Sequence, residues 1–495
     1  MSSSVEPVEQ MAIQQAQAPA PHGEQLLRDF SLGSAFSLAF AFISPIVALY
    51  SIFPLGIVQV GSTFWLGFPV ALAGQLLVAA VFAMLVSLFP YEGSIYQWSR
   101  LLIGPRYGWF AGWIYIWALS STIATVAISA AGFVVDLFDM SNRSPVRITV
   151  IALAIIAVTT LGNTLGRALL KRAVFLCISA EIIGSLGVGT LLLLSPQPHA
   201  SQALIAGGAA ASSAAVGGAL RFFNAPFTLA VALCGWAFLG FESAGAIAEE
   251  VKDARRMAPR AILLSLLCVG LIVIYSAFTL VTAAPGGTVP ASAADDPIRF
   301  ILNQYLPRAA FKAVLVVFLT AFLACMLGIQ ATVSRVLWAY GRAGDLPLSM
   351  WLRRLHGVDR LPVNATVTIG IAAAMFCLLG LTNLYATILA FATAGFYIAF
   401  AFPLLAVSWW HVRGRWRRTP FDLGPLAAPT IYLAAAWITF ETINISWPRS
   451  PQSPWYYNYA VPLMSALLIL LGLIVRRYVQ VRSGGAAAAT STENA

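Results

Sequence analysis

APFTLAVALCGWAFLGFESAGAIAEE, residues Ala225–Glu250, is the stretch whose reading decides the fold. It is long and apolar enough to cross a bilayer, for which about 20 residues suffice. Yet Gly235 and Gly240 interrupt its middle, and Glu242 follows them. A charge at the bilayer centre costs at least about 2.5–3.5 kcal/mol, so an acid there faces a cavity or a partner. A second stretch, SLGSAFSLAFAFISPIVALYSIFPLG (Ser31–Gly56), is interrupted by Ser44–Pro45 near its middle. Proline removes a backbone donor and frees a carbonyl one turn earlier, so the helix kinks or opens there. Two broken membrane helices, each the first of five, mark a transporter built from inverted repeats and point to its binding site. For either break taken alone, an ordinary proline kink or helix-packing glycines is the alternative.

The rest of the chain agrees with a membrane protein. Of 495 residues, 59% are hydrophobic and only 10% charged, with mean hydropathy +0.82. A soluble domain carries about 25% charged residues. Apolar runs predict twelve spans, at 31–57, 62–89, 106–137, 146–164, 169–195, 226–249, 260–284, 309–340, 363–383, 384–410, 425–445 and 460–480. The N-terminal tail, 1–25, is polar and lacks the apolar core of a signal peptide. It reads as disordered, as does the C-terminal tail, 483–495. Between them lie a first five-helix unit (26–195), an outer loop (196–225), a second unit (226–410) and two further helices (411–482).

The net charge of +10 invites a nucleic-acid reading, but the positions of the charges oppose it. With the N-terminus inside, 22 of the 29 Lys and Arg fall on the cytoplasmic side. That bias is the positive-inside rule, and it places both termini in the cytoplasm of a plasma-membrane protein among lipid. The five cysteines sit in apolar spans without a C-x-x-C pair, and the four histidines lie in tails, loops or at a helix end. Neither a metal site, a cofactor nor a clustered nucleophile and base is expected, so the chain reads as no enzyme. It contains no G-x-x-x-x-G-K-[ST] loop for ATP. A channel, the rival from another class, needs a continuous polar pore, and the spans supply few polar groups.

Three stretches carry a family resemblance: EGSIYQWSRLLIGPRYGWFAGWIYIWA (92–118), GFESAGAIAEEVKDARRMAPRAI (240–262) and ATVSRVLWAYGRAGDLP (331–347). Together they resemble the amino acid–polyamine–organocation (APC) permeases, the first most closely the amino acid/choline branch with its GABA and choline permeases. The resemblance covers residues from about 30 to 410. It implies an all-α LeuT-like fold: a 5+5 inverted repeat with two additional C-terminal helices, twelve transmembrane helices in all. It also implies secondary active transport of an amino acid or related amine, with choline, a polyamine or amino acid exchange as alternatives. Many permeases of the superfamily have a Gly-Ser-Gly-like turn in the first span, where this chain has ISPIV (Ile43–Val47). The substrate class and oligomeric state stay open at this point.

The candidate site residues follow from the breaks. Around Ser44, Pro45, Ile46 and Val47, an opened helix presents N–H groups and a positive dipole end to a carboxylate. Pro45 has no N–H to offer, which matters little if the substrate has no carboxylate. Around Cys234, Gly235, Trp236 and Gly240, freed carbonyls receive an amine. Trp236 is placed to cap an occluded substrate or to offer its ring face to an ammonium. The resemblance adds that an aromatic near this point of span six gates the substrate. Glu242, just past the break, reads either as a gate or as a structural hydrogen bond to the opened backbone.

Glu181 lies about 12 residues, or about 18 Å, into span five. Apolar surroundings favour the neutral form of a carboxyl, so Glu181 is the candidate proton carrier, and the resemblance puts the coupling ion, H⁺ or Na⁺, in this part of span five. The alternative is a protonated acid bonded to a neighbouring helix. Trp109, Trp113 and Trp117 recur every fourth residue and read as packing before a cation box. Ile95, Trp98, Leu101 and Leu102 suit a short amphipathic helix at the membrane interface. Glu249 and Glu250, with Lys252, Arg255 and Arg256, read as a solvated loop with ion pairs of little weight.

Overall fold

The computed structural model describes residues 28–140, 143–195, 222–285, 289–290, 293, 296–382, 385–416, 418–449 and 454–493, with only the backbone at 167–171, 173, 176, 177 and 382 and beyond 481. The tail 1–25 and most of the loop 196–225 therefore lie outside the described residues. Among these the chain is helical, with two isolated β-bridges. Among the described residues, eleven helical segments are long and apolar enough to cross a membrane. They match eleven of the twelve expected spans; the remaining one, span five, coincides with a helix from Arg167 to Leu194 whose apolar part is Ile178–Leu194.

Span one is three helices, α1 (Leu32–Ile43), α2 (Pro45–Tyr50) and α3 (Phe53–Gln59). Ser31 and Ser34 form a reciprocal capping box that starts α1. Then α4 (Gly67–Leu88), a short α5 (Ile95–Leu102), α6 (Pro105–Leu137), α7 (Pro145–Gly162) and α8 (Arg167–Leu194) complete the first half. Span six is α9 (Pro226–Cys234), a 3₁₀ turn (Gly235–Phe238) and α10 (Ser243–Ala246). It leads to α11 (Ala254–Ala283), α12 (Pro297–Tyr305), α13 (Arg308–Ala343), α14 (Ser349–Leu352), α15 (Val363–Leu378) and α16 (Tyr385–Val412). The last elements are α17 (Ala427–Ser446), α18 (Trp455–Asn458) and α19 (Ala460–Glu493). The backbone of α19 runs through the stretch from 483 to 493 that reads as a disordered tail; its run of alanines, the strongest helix formers, favours that continuation.

The broken helices are the most enclosed: 89% of the apolar window of span one and 83% of that of span six are buried, against 17% for the last span. The breaks thus sit at the centre and the two C-terminal helices at the rim. Small residues let the helices approach. A methyl group on Gly74 of α4 would lie only 2.0 Å from the Trp437 ring of α17. The fold is that of an all-α, multi-span membrane protein.

One face carries α5, the turn after α10 and the α13–α14 connection; we call it the basic face. Here Phe30 pairs with Val251, accepting from Lys252 N–H and donating to the Glu250 carbonyl (both 2.9 Å). The opposite face holds Asp139 with Arg308 (2.7 Å) and Lys312 (2.6 Å), and Asp136 with Arg143 and Arg299. Hydrogen bonds from Lys312 and Arg308 lower the Asp139 carboxyl to about 2.

Candidate functional site

The break in span one is a single residue wide. Ser44 has φ +48°, which an L-residue adopts only under constraint, and Pro45 follows as the first residue of α2. The Ser44 hydroxyl accepts from Val47 N–H at 3.2 Å and so caps the new helix. Pro45 brings no N–H, which leaves Ile46 as the first-turn donor without an acceptor inside the helix. The fully buried Glu181 carboxyl on α8 faces the Ser44 hydroxyl, and neither of its oxygens makes a hydrogen bond of normal geometry. On the other side of the break, Cys325 of α13 donates its thiol to the Phe42 carbonyl at 3.0 Å.

The break in span six is wider. After the 3₁₀ turn the chain extends at Leu239, and Gly240 has φ +108°. A methyl group on Gly240 would approach the Phe42 ring to 2.5 Å, so the two breaks are in contact and only glycine fits between them. Glu242 is fully buried; it accepts from Gly240 N–H (3.1 Å) and from the Tyr115 hydroxyl of α6 (2.6 Å). Its carboxyl therefore ties the opened backbone to α6, the structural alternative in the sequence reading. Gly235 packs under the Tyr397 hydroxyl, which donates to its carbonyl at 3.5 Å. Cys234 turns away, its thiol 3.6 Å from the Phe64 carbonyl.

Between the breaks lies a cavity of about 20 Å³, lined by Phe42, Ile43 and Val47 from the first, Trp236 and Leu239 from the second, and Thr122, Cys325 and Phe396 across from them. A second cavity of about 220 Å³ opens on the opposite face, lined by Gln59, Thr393, Trp447, Arg449, Tyr457 and again Trp236. Among the described residues only Trp236 lines both. The central cavity has room for one water-sized particle and the outer one for a small molecule.

At the basic face the site is shut. Arg335 of α13 donates from Nε to Glu250 at 2.9 Å, with 3% and 0% of the two side chains exposed. Arg342 holds both oxygens of Glu249 at 2.8 and 2.9 Å. The expectation of a solvated loop is thus wrong for Glu250, which α13 takes out of water, whereas Glu249 stays 22% exposed in its ion pair with Arg342. The helix expected at the interface is also inside. Of α5, Ile95, Tyr96 and Trp98 are fully buried, and the Trp98 indole donates to the Phe89 carbonyl at 3.0 Å. The tryptophan stripe of α6 is packing. Trp109 stacks on Trp113 at 5.1 Å, and their indoles donate to the Asp345 and Leu468 carbonyls.

The structure therefore gathers Ser44, Val47, Trp236, Gly240, Glu181 and Glu242 about the two breaks, and leaves Cys234 outside. Sequence reasoning missed Phe42, Tyr115 and Cys325, which carry no signal of their own. Arg335 did carry one. It lies eight residues before the end of an apolar helix at Ala343, about 12 Å in, where a charge needs a partner. No group of three or more His, Cys, Asp or Glu among the described residues is placed to hold a metal.

Comparison with known proteins agrees with this geometry. The family model for amino acid permeases matches residues 33–470. The chain is 24% identical over 479 residues to the amino-acid permease BAT1 of Arabidopsis thaliana, covering 90% of this chain and 91% of that protein. It is 25% identical over 358 residues to the branched-chain amino acid permease BcaP of Lactococcus lactis, covering 67% and 70%. It is 24% identical over 485 residues to the thiamine transporter thi9 of Schizosaccharomyces pombe, covering 90% and 82%. With broken first and sixth spans meeting at a buried cavity and a family match across nearly its whole length, this chain belongs to the amino acid permease family of the APC superfamily.

Proposed function

We propose that this protein is a secondary active transporter that moves an amino acid or a related amine such as GABA across the cytoplasmic membrane by alternating access, driven by protons. The observation that carries this reading is the pair of touching breaks around a closed cavity, with Trp236 between that cavity and the outer one. A channel needs an open path; here Trp236 interrupts it on one side and the buried Arg335–Glu250 pair on the other. Residues 26–195 and 226–410 form the two repeats, and 411–482 pack outside them. By the positive-inside rule the basic face is cytoplasmic, with both termini there, and the larger cavity faces outward.

In this reading Ile46 N–H takes a substrate carboxylate and carbonyls near Gly235 take its amine. The Trp236 ring closes over the amine, a favourable placement for a cation. Glu181 is the proton carrier: its carboxyl faces Ser44, so its charge is felt where the first break must rearrange. Glu242 holds the second break to α6 and tunes the gate. One observation favours a second reading, an organic cation without a carboxylate. Pro45 has no N–H and Ser44 occupies that of Val47, so the first break keeps few donors for an anion.

The test is uptake by proteoliposomes under an imposed inward proton gradient, with labelled amino acids, GABA, choline, polyamines and thiamine, and a sodium gradient as a separate arm. Accumulation of an amino acid or GABA that collapses with the proton gradient is expected. Accumulation of choline, a polyamine or thiamine alone selects the second reading. Sodium dependence replaces the proton, and no uptake by folded protein in sealed vesicles rejects the proposal.

A further inference from the structure

We propose that Glu92 carries a proton whenever the basic face is closed and releases it when that face opens, so that protons on this side favour closure. Glu92 lies in the turn between α4 and α5, fully buried, and neither carboxyl oxygen has a hydrogen-bond partner. Its own backbone N–H is engaged by Glu249 Oε1 at 3.0 Å. The charged groups facing it are Glu249 and Glu250, from the turn after α10, and Arg335 and Arg342, from α13. Both guanidinium groups already hold a carboxylate, Arg335 that of Glu250 and Arg342 that of Glu249. Three acids therefore share two bases, and Glu92 is the one left over.

An ionised carboxylate without a partner, cut off from water, is strongly disfavoured, and a proton removes that cost. Burial, then the like charges of Glu250 and Glu249, raise the Glu92 carboxyl well above the usual range, against the weaker pull of Arg335 and Arg342. Burial also raises the neighbouring Tyr91 phenol, which Arg255 lowers and Glu249 raises.

The turn is part of the closure itself. Gly93 N–H donates to the Ala246 carbonyl of α10 at 3.4 Å, and a methyl group on Gly245 would lie 3.0 Å from the Trp98 ring and 3.6 Å from Ser94 Cβ. Opening this face, as the alternating-access reading requires, separates α5 from α10 and lets water reach Glu92. The sign follows from linkage. The closed state binds the proton more tightly, so acid on this side stabilises closure and rising pH favours opening. Glu181 lies elsewhere, at the break of span one, so the two acids are separable.

The test uses full-length protein in detergent with its five native cysteines replaced and Ser94→Cys as reporter, because Ser94 is buried in the interface that must part. Labelling of this thiol is followed from pH 5.5 to 8.5, normalised at each pH to denatured protein, in the Glu181→Gln background that removes the other proposed carrier. Labelling is expected to rise with pH by up to about tenfold per unit, the limit for one proton, and to become flat and low in Glu92→Gln. An infrared band of a neutral carboxylic acid at acid pH, lost in Glu92→Gln, is the second expected result. An unchanged pH slope in Glu92→Gln, a flat profile with Glu92 present, or no difference in the band overturns the proposal. None of these readouts needs a substrate, so they stand or fall apart from the transport assay.

Discussion

The Arg335–Glu250 pair is the most buried ion pair among the described residues, and Arg335→Met tests its part in closing the basic face. Methionine keeps much of the stem and removes the charge, which leaves Glu250, 0% exposed, without its guanidinium. Removing one partner of a buried pair costs about 3–5 kcal/mol, because the other charge is left without compensation. If that cost falls on the closed state alone, the opening equilibrium moves by about two to nearly four powers of ten, at 1.4 kcal/mol per tenfold. The cost is a property of the unpaired charge, so Arg335→Met with Glu250→Gln should recover most of it, to within about 1 kcal/mol. The assay is labelling of the Ser94→Cys thiol at fixed pH in wild type, both single variants and the double variant, with thermal inactivation in detergent alongside. Arg335→Met should label far faster than wild type and the double variant close to it. Glu250→Gln alone should be milder, because Arg335 also donates to the Ala331 carbonyl and the Ser334 hydroxyl. A double variant as open as Arg335→Met would mean no coupling between the two groups, and the assignment of the closure to this pair would be wrong.

Glu181→Gln should abolish accumulation driven by a proton gradient while leaving substrate binding, and exchange with substrate on both sides, largely intact; normal gradient-driven uptake would eliminate Glu181 as carrier. If Glu242→Gln alone uncouples transport, the two roles must be exchanged. Trp236→Leu should weaken substrate binding by roughly two- to thirtyfold, the 0.5–2 kcal/mol of a lost cation–π contact; unchanged affinity in folded protein would return Trp236 to packing. Gly240→Ala should cost about 1–3 kcal/mol from its φ of +108° alone, with the Phe42 clash added. Phe42→Leu should recover only the clash, as measured by thermal inactivation. A cysteine at residue 20 should resist a membrane-impermeant thiol reagent in intact cells, and labelling would overturn the cytoplasmic placement of the termini.

By itself the sequence determined the class of the protein and its spans, because crossing a bilayer demands about 20 apolar residues whatever the neighbours are. It also located both breaks. Ser44–Pro45 and Gly235–Gly240 act through local backbone chemistry, a missing N–H in one case and a missing Cβ in the other. What depends on partners far along the chain was not legible. From the sequence Glu242 reads as a gate or a backbone tie, and the hydrogen bond it receives from Tyr115, 127 residues away, is visible only in the fold. Glu249 and Glu250 lie in a stretch as charged as any solvated loop, and only the passage of α13 over them turns Glu250 into a buried ion pair. Ile95 and Trp98 have the spacing of a helix lying on a surface, but the same apolar face is equally satisfied by the protein interior. Periodicity records that a face avoids water; which surface receives it is a property of helix packing, and that only the tertiary structure decided.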